Sequence, residues 1–157
     1  MLRINIPGRK DIILKYLVLD MNGTIAIEGH ISEETISQIN TLAEKLEVFV
    51  LTADTFGKAR EACSSINAKL VIMDPARPGG QTKAEFVEKL GAEFTAALGN
   101  GYNDRLMLKK AALGILVLEE EGCSAHSLLA ADVVVRNIRD GLNLLLKPKR
   151  LVATLRD

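Results

Sequence analysis

Six short apolar runs punctuate the chain: Tyr16-Leu17-Val18-Leu19, Val48-Phe49-Val50-Leu51, Leu70-Val71-Ile72-Met73, Phe94-Thr95-Ala96-Ala97-Leu98, Ile115-Leu116-Val117-Leu118 and Val133-Val134-Val135. None alternates with polar residues, which suits strands buried on both faces. The segments between them carry helical periodicity. It is clearest from Ser32 to Leu46, where Ile36, Ile39, Leu42, Ala43 and Leu46 share one face and Ser32 is placed to cap a first turn containing Glu33 and Glu34. Strands alternating with helices predict an α/β fold: a three-layer, Rossmann-like arrangement with a mostly parallel sheet, whose ligands bind at the carboxyl ends of the strands. The pattern also predicts an extra edge strand over Met1 to Ile6 before a turn at Pro7-Gly8, and a small β-hairpin flap over Ile25 to Ile31 turning at Glu28-Gly29. Pro75 to Gly80 reads as an irregular loop before a helix carrying Lys83, and Pro148 to Arg156 as a closing helix with Leu151, Val152 and Leu155 inward.

A length of 157 residues, 48% hydrophobic and 25% charged, is that of one globular domain, expected to span residues 1–157. Twenty basic residues balance twenty acidic ones and aromatic residues are few, so nucleic acid is not an expected partner. The apolar runs are too short to cross a bilayer and the first residues lack a continuous signal-peptide core, so no membrane association and a cytoplasmic location are expected. Cys63 and Cys123 have no metal-ligand or redox spacing and read as ordinary reduced thiols. His30 and His126 read as surface residues, and Asp54, Asp74 and Asp132 as caps or turns.

Four polar clusters follow apolar runs or open helices: Asp20-Met21-Asn22-Gly23-Thr24, Thr52-Ala53-Asp54, Lys83, and Gly99-Asn100-Gly101-Tyr102-Asn103-Asp104. Together they make a phosphoryl-transfer constellation. A carboxylate can attack phosphorus, a hydroxyl and an ammonium can hold phosphoryl oxygens, and an acidic loop can hold a divalent cation that screens the charge. Each cluster also has a plainer reading. Asn22-Gly23 is a strong hairpin-turn signal, Thr52 and Asp54 suit a helix cap, Lys83 suits an exposed helix face, and the last cluster suits a Gly-Asn turn with Asn103 or Asp104 as cap.

The order and spacing of these clusters resemble the haloacid dehalogenase-like superfamily, and within it the soluble relatives of the phosphorylation domain of P-type ATPases. The superfamily pattern is Asp-x-Asp-Gly-Thr, then Ser or Thr, then Lys, then Gly-Asp-Gly-x-Asn-Asp. The resemblance implies a Mg²⁺-dependent phosphatase in which Asp20 forms an aspartyl-phosphate and Thr52 and Lys83 hold the phosphoryl group. It further places Gly23, Ala53 and Asn103 against the phosphate, and Asp20, the main-chain carbonyl of Asn22, Asn100 and Asp104 at the metal. Asn22 stands where the family's phosphatases carry the aspartate that protonates the leaving group, and Asn100 where an acidic metal ligand is usual. The first departure implies slow turnover favouring good leaving groups such as aryl phosphates, acyl phosphates or a nucleotide's terminal phosphate. Both departures keep open a catalytically degenerate module that binds phosphate or a partner. A signalling receiver domain, which also phosphorylates an aspartate, is a further reading. The gaps between clusters leave no room for a cap domain, so a phosphorylated substrate would meet an open site, either because it is large or because a homo-oligomer closes it.

Overall fold

The computed structural model describes residues 1–54 and 57–157. Its centre is a six-stranded, all-parallel sheet of β3 (Tyr16–Asp20), β4 (Glu47–Thr52), β5 (Lys69–Ile72), β6 (Thr95–Gly99), β7 (Leu113–Val117) and β8 (Val133–Val135), ordered β5-β4-β3-β6-β7-β8. The chain winds outward from β3 through β4 to β5, then crosses to the other side of β3 to place β6. That reversal opens a crevice at the carboxyl ends of β3, β4 and β6, where ligands bind in open α/β sheets. In sheet-strand numbering the order is 3-2-1-4-5-6, whereas receiver domains follow 2-1-3-4-5, so the receiver reading is set aside on topology.

The absence of alternation in the strands follows from cover on both faces. Leu17, Leu19, Val48, Val50, Ala96, Leu98, Ile115 and Val117 point to one side, against α1 (Glu33–Ala43), α6 (Ile138–Leu146) and α7 (Pro148–Leu155) through Ile39, Leu42, Leu142, Leu145 and Leu151. Val18, Phe49, Leu51, Ala97 and Leu116 point to the other, against α3 (Gly79–Leu90) and α4 (Arg105–Lys110) through Val87, Met107 and Leu108. Single helical turns, α2 (Ala59–Ala62) and α5 (Ala125–Leu128), complete the connections. Ser32 caps α1 as its side chain accepts from the Thr35 N–H. Among the described residues no helix is long and apolar enough to cross a membrane.

Of three local readings, two resolve differently and the turn of the flap at Glu28-Gly29 holds. The first strand, β1 (Leu2–Ile4), does not join an edge of the main sheet but pairs antiparallel with β2 (Ile12–Leu14) in a separate two-stranded sheet. The chain runs from β2 directly into β3, which lies between β4 and β6, and so the edges, β5 and β8, are out of its reach. The flap after β3 is reduced to one antiparallel bridge, Ile27 to His30, around Glu28 and Gly29 at φ +52° and +81°, the pairing of left-handed residues that a tight hairpin turn requires. Asn22-Gly23 does not turn a hairpin back onto β3. The Met21 carbonyl instead accepts from the N–H groups of Thr24, Ile25 and Ala26, coiling the chain into a compact loop above the strand end. No inserted domain covers the strand ends among the described residues.

Gly114 in β7 lies so close to α4 that a Cβ there would overlap the main-chain carbonyl oxygen of Leu108, an atom that cannot swing aside. Gly114→Ala is expected to cost about 1–3 kcal/mol by overpacking, read as a lower urea midpoint. An unchanged midpoint would contradict this close packing.

Candidate active site

The parallel register sets Asp20 opposite Leu51, one residue before Thr52, and Leu19 opposite Leu98, two residues before Asn100. Neighbouring strands ending at the same height thus deliver the first, second and fourth clusters to one crevice. Lys83 arrives from the second turn of α3 and closes the set. Its Nζ is 2.6 Å from Asp20 Oδ1 and 2.6 Å from Asp104 Oδ1, and the lysine is only 3% exposed. The exposed-helix reading of Lys83 therefore does not hold.

Asp104 is fully buried and its carboxylate is largely committed. Oδ1 accepts from Lys83, while Oδ2 accepts from the main-chain N–H groups of Asn100 at 3.0 Å and Gly101 at 2.9 Å. Gly99 makes room for it, since a Cβ there would lie 2.5 Å from Asp104 Cγ. Asp104, expected at the metal, is turned inward here, where it anchors Lys83 and shapes the 99–101 loop. The N–H of Gly23, a residue expected against the phosphate, donates to the Ala26 carbonyl at 2.9 Å.

Asp20 Oδ2 accepts from the Thr24 hydroxyl at 2.9 Å, and the same hydroxyl lies 3.2 Å from Asn100 Oδ1. One proton serves two acceptors, so the charged carboxylate has first claim on it. Burial pushes the Asp20 carboxyl up to about 6, the Asp104 charge adds to this, and Lys83 and Thr24 oppose it. Burial also works against the Lys83 charge, but the two carboxylates outweigh it and hold the ammonium above its ordinary value.

A cavity of about 500 Å³ opens over this cluster, walled by Asp20, Asn22, Thr52, Ala53, Lys83, Asn100, Asn103 and Glu121. Thr52 Oγ1 accepts from the Asp54 N–H at 3.1 Å, which leaves its own proton to donate elsewhere. Asn22 and Ala53 are exposed at the rim, and Asn103 is exposed beside the first turn of α3. Gly23 instead lines an adjoining cavity of about 640 Å³, which shares Asn22, Thr52 and Glu121 with the first. Asp54 caps α2 by accepting from the Ala59 N–H, Asp74 accepts from the Ala76 N–H in a turn, and Asp132 accepts from the Gly114 N–H. His30 and His126 are exposed. Two residues here were not singled out from sequence: Thr24, whose place in the first cluster was the available signal, and Glu121, which reads as part of a solvated acidic run.

Among the described residues no three of His, Cys, Asp and Glu converge on one point. Asp20 and the Asn100 amide oxygen, joined through Thr24, offer hard oxygen donors with one charge between them, a set that fits Mg²⁺ and not a soft metal.

No protein-family model matches the chain. An uncharacterized protein of Methanocaldococcus jannaschii is 52% identical over 61 residues, which are 39% of this chain and 66% of that protein. Among solved structures, the 3-deoxy-D-manno-octulosonate 8-phosphate phosphatase of Moraxella catarrhalis, in complex with magnesium, phosphate and the sugar acid, superposes with a TM-score of 0.70 at 15% identity, covering 91% of this chain and 94% of that one. A putative haloacid dehalogenase superfamily hydrolase of subfamily III A from Legionella pneumophila superposes with a TM-score of 0.67 at 15% identity, covering 90% and 86%. The chain has the haloacid dehalogenase-like fold, and among the described residues no cap domain is present.

Two stability measurements check this electrostatics. The folded-state pKa of Asp20 lies above its ordinary 3.8, so the folded chain holds that proton more tightly between about pH 4 and 6, and the residue's contribution to stability declines as pH rises through that window. Asn in its place can present Oδ1 to Lys83 and Nδ2 to Thr24. Asp20→Asn in EDTA is therefore expected to gain stability relative to the native chain as pH goes from 4 to 7, and parallel stability curves would refute the raised pKa. Lys83→Ala leaves two buried carboxylates without their counter-ion and is expected to cost about 3–5 kcal/mol by urea unfolding at pH 7.

Proposed function

We propose that residues 1–157 form one phosphatase-type hydrolase unit that acts on a phosphorylated substrate through an aspartyl-phosphate at Asp20. The observation that carries this reading is the single cavity in which Asp20, Lys83, Thr52 and Asn100 meet. A phosphatase in complex with magnesium and phosphate among the structural neighbours supports it.

In this reading the Asp20 carboxylate attacks phosphorus as the bond to the leaving group breaks, and water then takes the phosphoryl group from Asp20. Lys83, already fixed by Asp104, keeps Asp20 ionised and offsets the charge gathered as phosphate enters. The Thr52 hydroxyl donates to a phosphoryl oxygen, and Ala53 and Asn103 line the walls that receive the others. Mg²⁺ would be held by Asp20, the main-chain carbonyl of Asn22 and the Asn100 amide oxygen, and would screen the negative charge shared by nucleophile and phosphate. Asn22, at the rim, carries an amide whose N–H protons are not acidic enough to protonate a departing oxygen. The substrate is therefore a phosphate whose leaving group departs without protonation, an aryl or acyl phosphate or a terminal nucleotide phosphate, in preference to an alkyl phosphate. The open cavity takes a large substrate, or is closed by a second copy of the chain. Neither nucleic acid nor a membrane enters this reading, and a cytoplasmic site of action accords with it.

Turnover of p-nitrophenyl phosphate with Mg²⁺ is expected to exceed that of a sugar phosphate, to vanish in EDTA, and to fall about 10³-fold or more in Asp20→Asn. Asn22→Asp is expected to raise sugar phosphate turnover about 10²-fold. Beryllofluoride, a phosphoryl mimic, should label Asp20. No turnover together with labelling or phosphate binding would favour the degenerate binding module, and equal turnover of both substrates would overturn the leaving-group preference.

A further inference from the structure

We infer that Glu121 supplies to the divalent-cation site the negative charge that Asn100 withholds, acting on the cation from beside the Asn100 amide. The inference rests on the metal-assisted reading above and extends it to a residue outside the four sequence clusters.

The position of the carboxylate carries the inference. Gly23 has φ +75°, and a Cβ built on it would overlap Glu121 Oε2 and lie 2.6 Å from Asn100 Nδ2. The carboxylate of Glu121 and the amide of Asn100 thus meet over the same α-carbon, beside Asn22, whose main-chain carbonyl is one of the donors. Glu121 also lines the cavity that holds Asp20 and Lys83.

The loop that carries it is built onto Asn100. The Ser124 N–H donates to the Asn100 carbonyl at 2.9 Å, and Asn100 Nδ2 donates to the Gly122 carbonyl at 3.5 Å. At the start of the loop Glu119, at φ +44°, accepts the Ile138 N–H on Oε1 at 2.6 Å, and its carbonyl accepts the Gly122 N–H at 3.2 Å. Glu119 is thereby committed to structure, while Glu121 makes no hydrogen bond or ion pair among the described residues.

Charge decides what such a carboxylate does. Asp20 and Asp104 share the one ammonium of Lys83, so the buried cluster carries a net single negative charge, and Asp104 has no face toward the cavity. A neutral amide in place of an acidic ligand weakens a hard-cation site, whose affinity follows the charge count of its ligands. A free carboxylate against that amide restores the count. With Asp20, an amide and a main-chain carbonyl, the donor set is all oxygen, which selects Mg²⁺ or Mn²⁺ over zinc.

Isothermal titration of the full chain with Mn²⁺ and Mg²⁺ tests this without relying on activity. Glu121→Gln is expected to bind about 10–100-fold more weakly, the usual effect of losing a carboxylate that supports a metal ligand. Glu121 is exposed, so the variant should fold as the native chain does. Asn100→Asp is expected to tighten binding, and the Asn100→Asp/Glu121→Gln double variant to return near the native affinity. Equal affinity in the native chain and Glu121→Gln would overturn the inference. So would a fall in turnover at unchanged cation affinity, which would move Glu121 to proton transfer. Beryllofluoride labelling at saturating cation separates the two levels: label on Asp20 in both chains with equal affinities leaves the aspartyl-phosphate reading standing and removes Glu121 from the metal. A native chain that neither binds cation nor takes label overturns both.

Discussion

One ammonium held between two buried carboxylates organises this molecule's working end. Lys83 lies at hydrogen-bonding distance from both Asp20 and Asp104, and each of those acids is fixed by a different strand end. The arrangement is electrostatically incomplete, with two negative charges for one positive, and the excess is concentrated on the residue that faces the cavity. Burial and Asp104 together raise the proton affinity of Asp20. A carboxyl held in this way is a poor contributor to stability and a good site for a second positive charge. That is the usual trade between a restful fold and a responsive site.

The rest of the fold serves that geometry. β3 lies at the point where the winding of the sheet reverses, so its carboxyl end looks into the crevice at the strand ends. β4 and β6 run beside it in register, bringing Thr52 and the 99–104 loop to the same level. α3, packed through Val87 on the opposite face, drops Lys83 into the gap. No single strand or helix would suffice, because each supplies one group and the sheet supplies their common height.

Much of this was legible in the chain itself. The buried strands announced themselves as unbroken apolar runs, and Ile39 and Leu42 marked the inner face of α1. Asp20, Thr52 and Asn100 could be placed together because parallel strands with similar starting points end together. Long-range commitments could not be read. Whether Asp104 turns outward to a metal or inward to Lys83 depends on Gly99 and two main-chain N–H groups, which no residue pattern encodes. The partner of β1 depended on which strands already flanked β3. Glu121 was invisible because its neighbours in sequence are also acidic, and only the folding of its loop over Asn100 distinguishes it from Glu119 and Glu120.

The hydrogen bonds of two glycine nitrogens have a consequence for chemical ageing. Asn-Gly pairs deamidate when the glycine nitrogen attacks the preceding side-chain amide, and this chain carries two such pairs at the candidate site, Asn22-Gly23 and Asn100-Gly101. The Gly101 N–H is held by Asp104 Oδ2 and the Gly23 N–H by the Ala26 carbonyl, so each nitrogen must give up a hydrogen bond with the proton it has to lose before it can attack. The fold therefore opposes deamidation at both pairs and favours the neutral character of the two positions.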